Sequence, residues 1–261
     1  MLRNIRLLIA YDGGNYRGWQ RQRQGATIQG ELERGLALLC GEPITLHGAG
    51  RTDTGVHALG MVAHFHTKTT IPVVAFFKGL NSMLPQDIRI LQAEEAPFDF
   101  HSRYNALGKT YRYDFFTGAV QWPAVRLYKA HLPGPFEPER LSAGLRIITG
   151  TLDFSSFERT GSRDRNAVGG RGGVRTLFYA SCSPQLGCAD CWSLRLTGDG
   201  FLRQMVRIIA GTLIEMGQGK RPVEELTAIL AAKDRSTAGP TAPACGLFLE
   251  KIYYDQLYLR P

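Results

Sequence analysis

A single carboxylate, Asp53, lies among glycines and small residues in the stretch HGAGRTDTGVHA, which runs from His47 to Ala58. Arg51 stands two positions before it and His57 four positions after it. Loops at strand ends often carry catalytic groups, and glycines let another molecule approach the backbone closely. Asp53 is therefore a candidate catalytic residue. The alternative is an aspartate that only stabilises its own turn.

The triplet Asp53-Thr54-Gly55 also matches the D-T-G of aspartic proteases. Their chemistry needs two carboxylates that share one proton, and the chain contains no second D-T-G and no D-S-G. Arg51 would favour the ionised form of the aspartate, which opposes the sharing of a proton. These observations argue against an aspartic protease.

Two arginines accompany an apolar pattern in the stretch FLRQMVRIIAGTL. The periodicity predicts a helix whose apolar face includes Met205 and Ile208, with Arg203 and Arg207 together because they are four residues apart. An arginine beside a core face needs a carboxylate or a polyanion, unless its stem packs and its head reaches water. Both arginines are therefore candidate ligands for an anionic substrate.

The stretch KTYRYDFF alternates as a strand. One face carries Tyr111, Tyr113 and Phe115, and the other carries Thr110, Arg112 and Asp114. Most aromatic stripes of this kind are core residues. One tyrosine could instead stack on a base, as sheet aromatics do in RNA-binding domains. Tyr111 is the candidate for this role.

Residues 161–175, GSRDRNAVGGRGGVR, contain four arginines, five glycines and one acidic residue. Such a segment buries little apolar surface, which predicts a mobile basic loop. It could follow phosphates, or it could be an unengaged surface loop.

Five cysteines and the absence of a signal-peptide pattern predict free thiols in the cytoplasm. Cys188 and Cys191 form one C-x-x-C close to Cys182, across a predicted hairpin turn. Zinc would need further ligands at matching spacing, so we expect no metal site here.

The composition favours a polyanionic partner. The 261 residues carry a net charge of +8, with 24 arginines and 7 lysines, and +6 of this charge falls on residues 107–261. Nucleic acid is the commonest partner of such a surplus, although an arginine-rich proteome would leave the same mark. No stretch approaches the ~18 apolar residues of a membrane span.

The elements that must position these residues alternate between strands and helices in both halves of the chain. Strands are predicted at NIRLLIAYD, ITLHGAG, GMVAHFHT and DIRILQAE. Helices are predicted at TIQGELERGLALLC, with Thr27 as its N-cap, and at VVAFFKGLNSML. The second half repeats this plan, with VRTLFYASC and CWSLRLTG as a hairpin. The pattern predicts an α+β fold with mixed, largely antiparallel sheets. We place one subdomain at residues 1–105 and the other at residues 106–261.

Taken in order, the motifs resemble the tRNA pseudouridine synthase A family along nearly the whole chain. They are YDGGNYRGWQRQ with TIQGELE, GAGRTDTGVHA, LNSMLPQDI, FHSRYNALGKTYRY, FLRQMVRIIAGTL and the closing AKDR…AGPTAPACGLFL. The resemblance implies two RRM-like, or ferredoxin-like, subdomains that flank a basic active-site cleft. It also implies a homodimer that isomerises uridine to pseudouridine at tRNA positions 38 to 40, without a cofactor or a metal.

The resemblance also implies roles for individual residues. The catalytic aspartate of the family falls on Asp53, the arginine of the same motif on Arg51, and the tyrosine that packs on the target base on Tyr111. The arginine that pairs with the aspartate falls on Arg207. Arg203 and Gln20, which belongs to the N-terminal signature, are further candidates for substrate binding.

Two departures from the family pattern stand out. Thr54 replaces the alanine that usually follows the aspartate, and the loop at 161–175 is longer than the usual connection. The sequence leaves the route open, since Asp53 could attack C1′ of the sugar or C6 of the uracil, or remove the C2′ proton. A plain RNA-binding protein, or a synthase with another RNA target, would share many of these features. Only an enzyme has a use for the Asp53 loop.

Overall fold

The computed structural model describes residues 1–162 and 170–255 of the chain. These residues divide into two compact units, one formed by residues 1–107 and 248–254, the other by residues 108–247 with Asp255. Each unit combines helices with a sheet, and most strand pairs are antiparallel, which confirms the predicted α+β class. The division of function between residues 1–105 and 106–261 stays a prediction.

Ten strands and five α-helices lie in the described part of the chain. The strands are β1 (Arg3–Tyr11), β2 (His47–Gly48), β3 (His57–Thr67), β4 (Ile88–Ala96), β5 (Gly108–Phe116), β6 (Ala130–His131), β7 (Gly150–Asp153), β8 (Val174–Gln185), β9 (Cys188–Gly198) and β10 (Leu247–Tyr253). The helices are α1 (Ile28–Cys40), α2 (Val73–Met83), α3 (Pro138–Ile148), α4 (Met205–Gly217) and α5 (Glu225–Ala232).

The sheet of the first unit has the order β4-β1-β3-β10, and β2 pairs with β3. The pairs are antiparallel except β3 with β10, which run parallel. Alternate residues of β1, namely Ile5, Leu7 and Ile9, are fully buried, as the period of a half-buried strand requires. Helix α1 begins after Thr27, whose side chain accepts a hydrogen bond from the Gly30 backbone N–H at 3.3 Å, as predicted from the sequence.

The sheet of the second unit has the order β5-β9-β8-β7 with antiparallel pairing, and β6 lies parallel to β5. Strands β8 and β9 form the predicted hairpin. Helix α4 is buried along most of its length, since Met205, Ile208 and Ile209 are each fully buried. Among the described residues, no helix is both long and apolar enough to cross a membrane.

Two predicted elements are shorter than the sequence pattern indicated. The strand predicted at ITLHGAG is paired over His47–Gly48 alone. Helix α4 begins at Met205, because Gln204 has a left-handed backbone conformation with φ of 62°, so Phe201 and Arg203 lie before the helix. The prediction that Arg203 and Arg207 share a helical face is therefore wrong.

Cys188 and Cys191 form a disulfide, with Cα atoms 5.3 Å apart. The prediction of free thiols is wrong for this pair, although Cys40, Cys182 and Cys245 are free. Residues three apart in a regular strand point to opposite faces, but the pairing of β8 with β9 is irregular here. An irregularity of this kind can re-aim a side chain, which brings the two sulfur atoms within reach of each other.

Two glycine-containing segments of the first unit, the turn segment at residues 12–19 and the loop at residues 49–56, pack directly against each other. A Cβ atom on Gly13 would lie 2.0 Å from the Val56 carbonyl oxygen, and one on Gly18 would lie 2.5 Å from the Thr52 carbonyl oxygen. Gly18 also has a φ of 85°, which disfavours other residues. The close contact between these backbones therefore depends on the missing side chains.

Gly18→Ala should lower the free energy of unfolding more than Gly41→Ala does. Both glycines have positive φ, but a Cβ on Gly41 would meet nothing within 4 Å. Gly41→Ala should thus cost only the backbone strain of about 1–2 kcal/mol. Gly18→Ala should cost about 1–3 kcal/mol more, because the methyl group overlaps the Thr52 backbone.

Urea denaturation of the two variants and the unsubstituted protein measures this difference. Equal losses of stability in the two alanine variants would contradict the described contact between the segments.

Candidate active site

Asp53 is half-buried, on a tight turn of the loop at residues 49–56. The Val56 backbone N–H donates to the Asp53 carbonyl oxygen at 3.2 Å, and Gly55 supplies the positive φ of 76° within this turn. At the start of the loop, the Ala49 N–H donates to the Val62 carbonyl oxygen at 2.8 Å and ties the loop to β3. The turn thus presents a carboxylate from a segment anchored at both ends.

Thr52, the residue before the aspartate, is held by Tyr11 of β1 and by Trp19 of the turn segment. Its hydroxyl lies 2.8 Å from the buried Tyr11 hydroxyl, and its carbonyl oxygen accepts from the Trp19 backbone N–H at 3.1 Å. Trp19 is itself buried, at 2% exposure. The backbone next to Asp53 is therefore fixed by side chains and main chain of the first unit.

His57 and Asp12 support the other end of the loop. His57 is 1% exposed, and its Nδ1 lies 3.0 Å from Oδ1 of Asp12. The sequence reasoning assigned no role to these residues or to Tyr11 and Thr52. In the sequence, only two features pointed to them: His57 ends the GRTDTGVH stretch, and Asp12 precedes the Gly-Gly turn.

Two further candidates adjoin this region. Trp19 and Thr52 are joined by a backbone hydrogen bond, Gln20 follows Trp19, and Arg51 precedes Thr52. Arg51 is exposed and Gln20 half-buried. Gln20 and Arg51 thus flank the two residues joined by this hydrogen bond, and Asp53 follows Thr52 directly.

Tyr111 lies in β5 of the second unit, opposite Leu196 of β9, and is 9% exposed. Its ring meets the Phe201 ring edge-on, with centroids 5.0 Å apart. Tyr113, two residues along, is fully buried, and its hydroxyl donates to the Pro243 carbonyl oxygen at 3.0 Å. Burial raises the pKa of Tyr113 above its usual range. Tyr113 is thus a core residue, and Tyr111 is nearly as buried.

The polar face of β5 is also buried, contrary to what simple alternation suggests. Thr110 and Asp114 are 5% and 6% exposed. The Ser193 hydroxyl donates to the Asp114 carboxylate at 2.7 Å, and Arg112 lies 3.1 Å from the same group. Burial nevertheless raises the pKa of Asp114. These partners within β5 and β9 give Asp114 a structural role in the second unit.

Arg207 is half-buried on α4, and its Nε donates to the Ala242 carbonyl oxygen at 2.7 Å. The Ala242 backbone N–H donates in turn to the Arg207 carbonyl oxygen at 3.1 Å. The guanidinium group is thereby oriented by the segment before β10. Arg203 is exposed, and its carbonyl oxygen accepts from the Arg159 N–H at 3.0 Å.

The predicted basic loop at residues 161–175 is described only at its ends, since residues 163–169 lie outside the described part. Arg171 pairs with Asp199, and Arg175 donates to the Gly172 carbonyl oxygen at 3.1 Å. Its predicted mobility stays a prediction. Among the described residues, no cluster of three or more histidine, cysteine, aspartate or glutamate side chains could hold a metal ion.

Comparison with known proteins identifies the family of this chain. The family model described as tRNA pseudouridine synthase matches residues 7–105 and 146–255. The chain is 52% identical over 253 residues to "tRNA pseudouridine synthase A 1" of Desulfotalea psychrophila, with 97% of this chain and 100% of the relative covered.

Two further relatives are each named tRNA pseudouridine synthase A. The protein of Geotalea uraniireducens is 43% identical and that of Acetivibrio thermocellus 42%, again with 97% of this chain and 100% of the relative covered. The matched segments of the family model include the Asp53 loop, α4 and β10. The chain therefore belongs to the tRNA pseudouridine synthase family.

Proposed function

We propose that this protein isomerises uridine to pseudouridine at positions 38, 39 and 40 of the tRNA anticodon stem-loop, with Asp53 as the catalytic residue. One observation carries the proposal: Asp53 is only half-buried, on an anchored, glycine-rich turn, in a chain 52% identical to a named tRNA pseudouridine synthase A. The choice of positions 38 to 40 rests on the resemblance of the ordered motifs.

The reaction breaks the bond from N1 of uracil to C1′ and forms one from C5 to C1′, while a proton leaves C5 and N1 gains one. No electrons are gained or lost, so the chemistry requires no redox cofactor. The target base must first leave its stack, which costs a few kcal/mol and less in a loop than in a duplex. The protein must then hold the freed base beside a nucleophile or a base.

Asp53 supplies that group by one of three routes. An ionised carboxylate can attack C1′ or C6, or it can remove the C2′ proton and let the glycosidic bond eliminate. Each route requires a carboxylate in a fixed position. The hydrogen bonds at Thr52 and Val56 support this requirement, since they limit the movement of the backbone on both sides of Asp53.

The remaining candidates bind and orient the substrate in this proposal. Tyr111 stacks on the target base and serves the final deprotonation at C5, and Arg207 is the arginine that the resemblance pairs with Asp53. The orientation of Arg207 by Ala242 supports such a placed charge. Arg51, Arg203 and Gln20 contact the RNA, and the exposure of both arginines suits contact with phosphates.

We also propose a homodimer that works in the cytoplasm. The segment at residues 118–131 of the second unit exposes several large apolar side chains, a feature typical of interaction sites. They are Val120 at 78%, Trp122 at 68%, Leu127 at 50% and Tyr128 at 41% exposure. A second copy of the chain that covers this segment would remove them from water.

Asp53→Asn should reduce the rate of pseudouridine formation by a factor on the order of 10² to 10⁴ and leave the affinity for tRNA intact. The amide keeps the shape of the side chain but is a poor nucleophile and a poor base. Tritium release from tRNA labelled at C5 of uridine measures the rate, and filter binding measures the affinity.

Asp99→Asn is the matched control for Asp53→Asn, because Asp99 is an exposed aspartate outside the loop and loses the same charge. Thermal unfolding confirms that each variant is folded. A folded Asp53→Asn protein with a near-normal rate would refute the assignment of Asp53. An unsubstituted protein that binds tRNA but forms no pseudouridine would instead favour a binding role.

Tyr111→Phe should keep tRNA affinity and lower the rate by a factor on the order of 10² or more, because the hydroxyl that assists the proton step is lost. Tyr113→Phe is the control in the same strand. It removes the bond to Pro243 and should lower stability by about 1 kcal/mol without changing the chemical step. If the rates of both variants match the unsubstituted rate, Tyr111 has a packing role only.

Trp122→Arg should convert the proposed dimer into a monomer of 28.9 kDa, since a charge would be buried at the contact. Phe98→Arg, at a residue 63% exposed on the first unit, should leave the dimer unchanged. Sedimentation equilibrium measures the mass of each variant. A monomeric unsubstituted protein would contradict the dimer, and a dimeric Trp122→Arg protein would contradict this interface.

A further inference from the structure

His57 is a buried histidine four residues after Asp53, and the chemistry above uses none of its properties. Its ring lies flat against the Phe248 ring, with centroids 4.8 Å apart and planes inclined by 24°. On its Nδ1 side it faces the turn formed by Asp12, Gly13 and Gly14. Each of these contacts lies within the first unit.

Two polar groups compete for the same ring nitrogen. The Gly13 backbone N–H donates to Nδ1 at 3.1 Å, and Oδ1 of Asp12 lies 3.0 Å from the same atom. A histidine nitrogen either accepts a hydrogen bond through its lone pair or donates one through its proton. Unprotonated Nδ1 therefore suits Gly13, and protonated Nδ1 suits the carboxylate of Asp12.

The turn at residues 12–14 touches the catalytic loop directly. A Cβ on Gly13 would lie 2.0 Å from the Val56 carbonyl oxygen. The backbone N–H of Val56 donates to the Asp53 carbonyl oxygen at 3.2 Å. A shift of Gly13 thus changes the space available to the turn that carries Asp53.

Other ionisable groups surround this turn. The Asp12 carboxylate also accepts from the Gly14 N–H at 2.9 Å, and the Asp12 N–H donates to the Asp87 carbonyl oxygen at 2.9 Å. The carboxylate of Asp87 accepts from the Tyr16 hydroxyl. Burial, together with this hydrogen bond, raises the pKa of Tyr16, so the phenol stays neutral across the working range. Asp12 is then the carboxylate in contact with the imidazole.

We propose that His57 and Asp12 are positioning residues for Asp53 that respond to protonation. With Nδ1 unprotonated, His57 accepts from the Gly13 N–H and fixes the position of the turn at residues 12–14. When Nδ1 is protonated, it donates to the Asp12 carboxylate and no longer accepts from the Gly13 N–H. Gly13 can then shift against the Val56 carbonyl oxygen that it contacts. The inference rests on the proposed function, since the rate of pseudouridine formation reports the position of Asp53.

Asp12→Asn separates this role from that of a plain structural contact. The amide oxygen can still accept from the Gly14 N–H, but the negative charge that stabilises the imidazolium is gone. His57 in this variant is then protonated only at lower pH. The acidic limb of the pH profile of the single-turnover rate should therefore move to lower pH by about half to one unit. Asp99→Asn, which removes an exposed carboxylate elsewhere, should leave the limb in place.

His57→Phe and His57→Asn provide the second measurement. Phenylalanine keeps a ring against Phe248 and loses Nδ1, so the turnover rate should fall by a factor of about 10 or more while KM and tRNA affinity stay normal. Asparagine restores a polar atom near the position of Nδ1 and should recover part of the rate. Unfolding curves identify any variant that is not folded.

The results decide the inference separately from the proposed function. An acidic limb of Asp12→Asn that coincides with the unsubstituted one would overturn the role of the pair even if the histidine variants failed to fold. A folded His57→Phe protein with the normal turnover rate would do the same. An unsubstituted protein that makes no pseudouridine in tRNA would instead sink the proposed function.

Discussion

The contact between the backbones of the turn segment and the Asp53 loop is the constraint on which the candidate site depends. Gly13 and Gly18 approach the carbonyl oxygens of Val56 and Thr52 so closely that no side chain fits between them. This approach lets Tyr11 and Trp19 reach Thr52. A loop made almost wholly of small residues cannot pack its own core, so its order comes from the segment beneath it.

Such an arrangement suits a reaction that needs little more than placement. The proposed isomerisation exchanges one glycosidic bond for another and involves no electron transfer. The rate then depends on how well a carboxylate is held relative to an extruded base, and a displacement of about 1 Å can cost a factor of 10². Catalysis of this kind requires residues that hold the backbone of the reacting group in place. Thr52 before Asp53 and Val56 after it meet this requirement.

Local pattern predicted most of the helices and strands, because burial on one face leaves a period in the sequence. It predicted the core strand at Tyr113 for the same reason. The Thr27 cap was predictable from its residue type, because a threonine hydroxyl can accept from a backbone N–H of the first turn. Local pattern could not predict that Gln204 adopts a left-handed conformation, which removes Arg203 from helix α4 although the apolar period continues through it. Nor could it predict a disulfide that depends on an irregular strand pairing.

The candidate site was predictable as a motif and not as a set of contacts. Asp53 stood out because it is a lone acid on a bare loop, and its family match followed from the order of the motifs. Tyr11 with Thr52, and Asp12 with His57, meet across more than forty residues of chain. Periodicity reports which residues are buried and carries no information about their distant partners.

The last strand, β10, has a consequence for how the protein is made. It pairs with β3 through Phe248 and Leu249, and Phe248 covers the ring of His57. On the ribosome, residues 1–107 emerge well before β10, so the first unit must wait for almost the entire second unit to be synthesised. Until then, one side of β3 lacks its neighbouring strand and the histidine behind the Asp53 loop remains uncovered. Completion of the packing around His57 is thereby deferred to the end of translation.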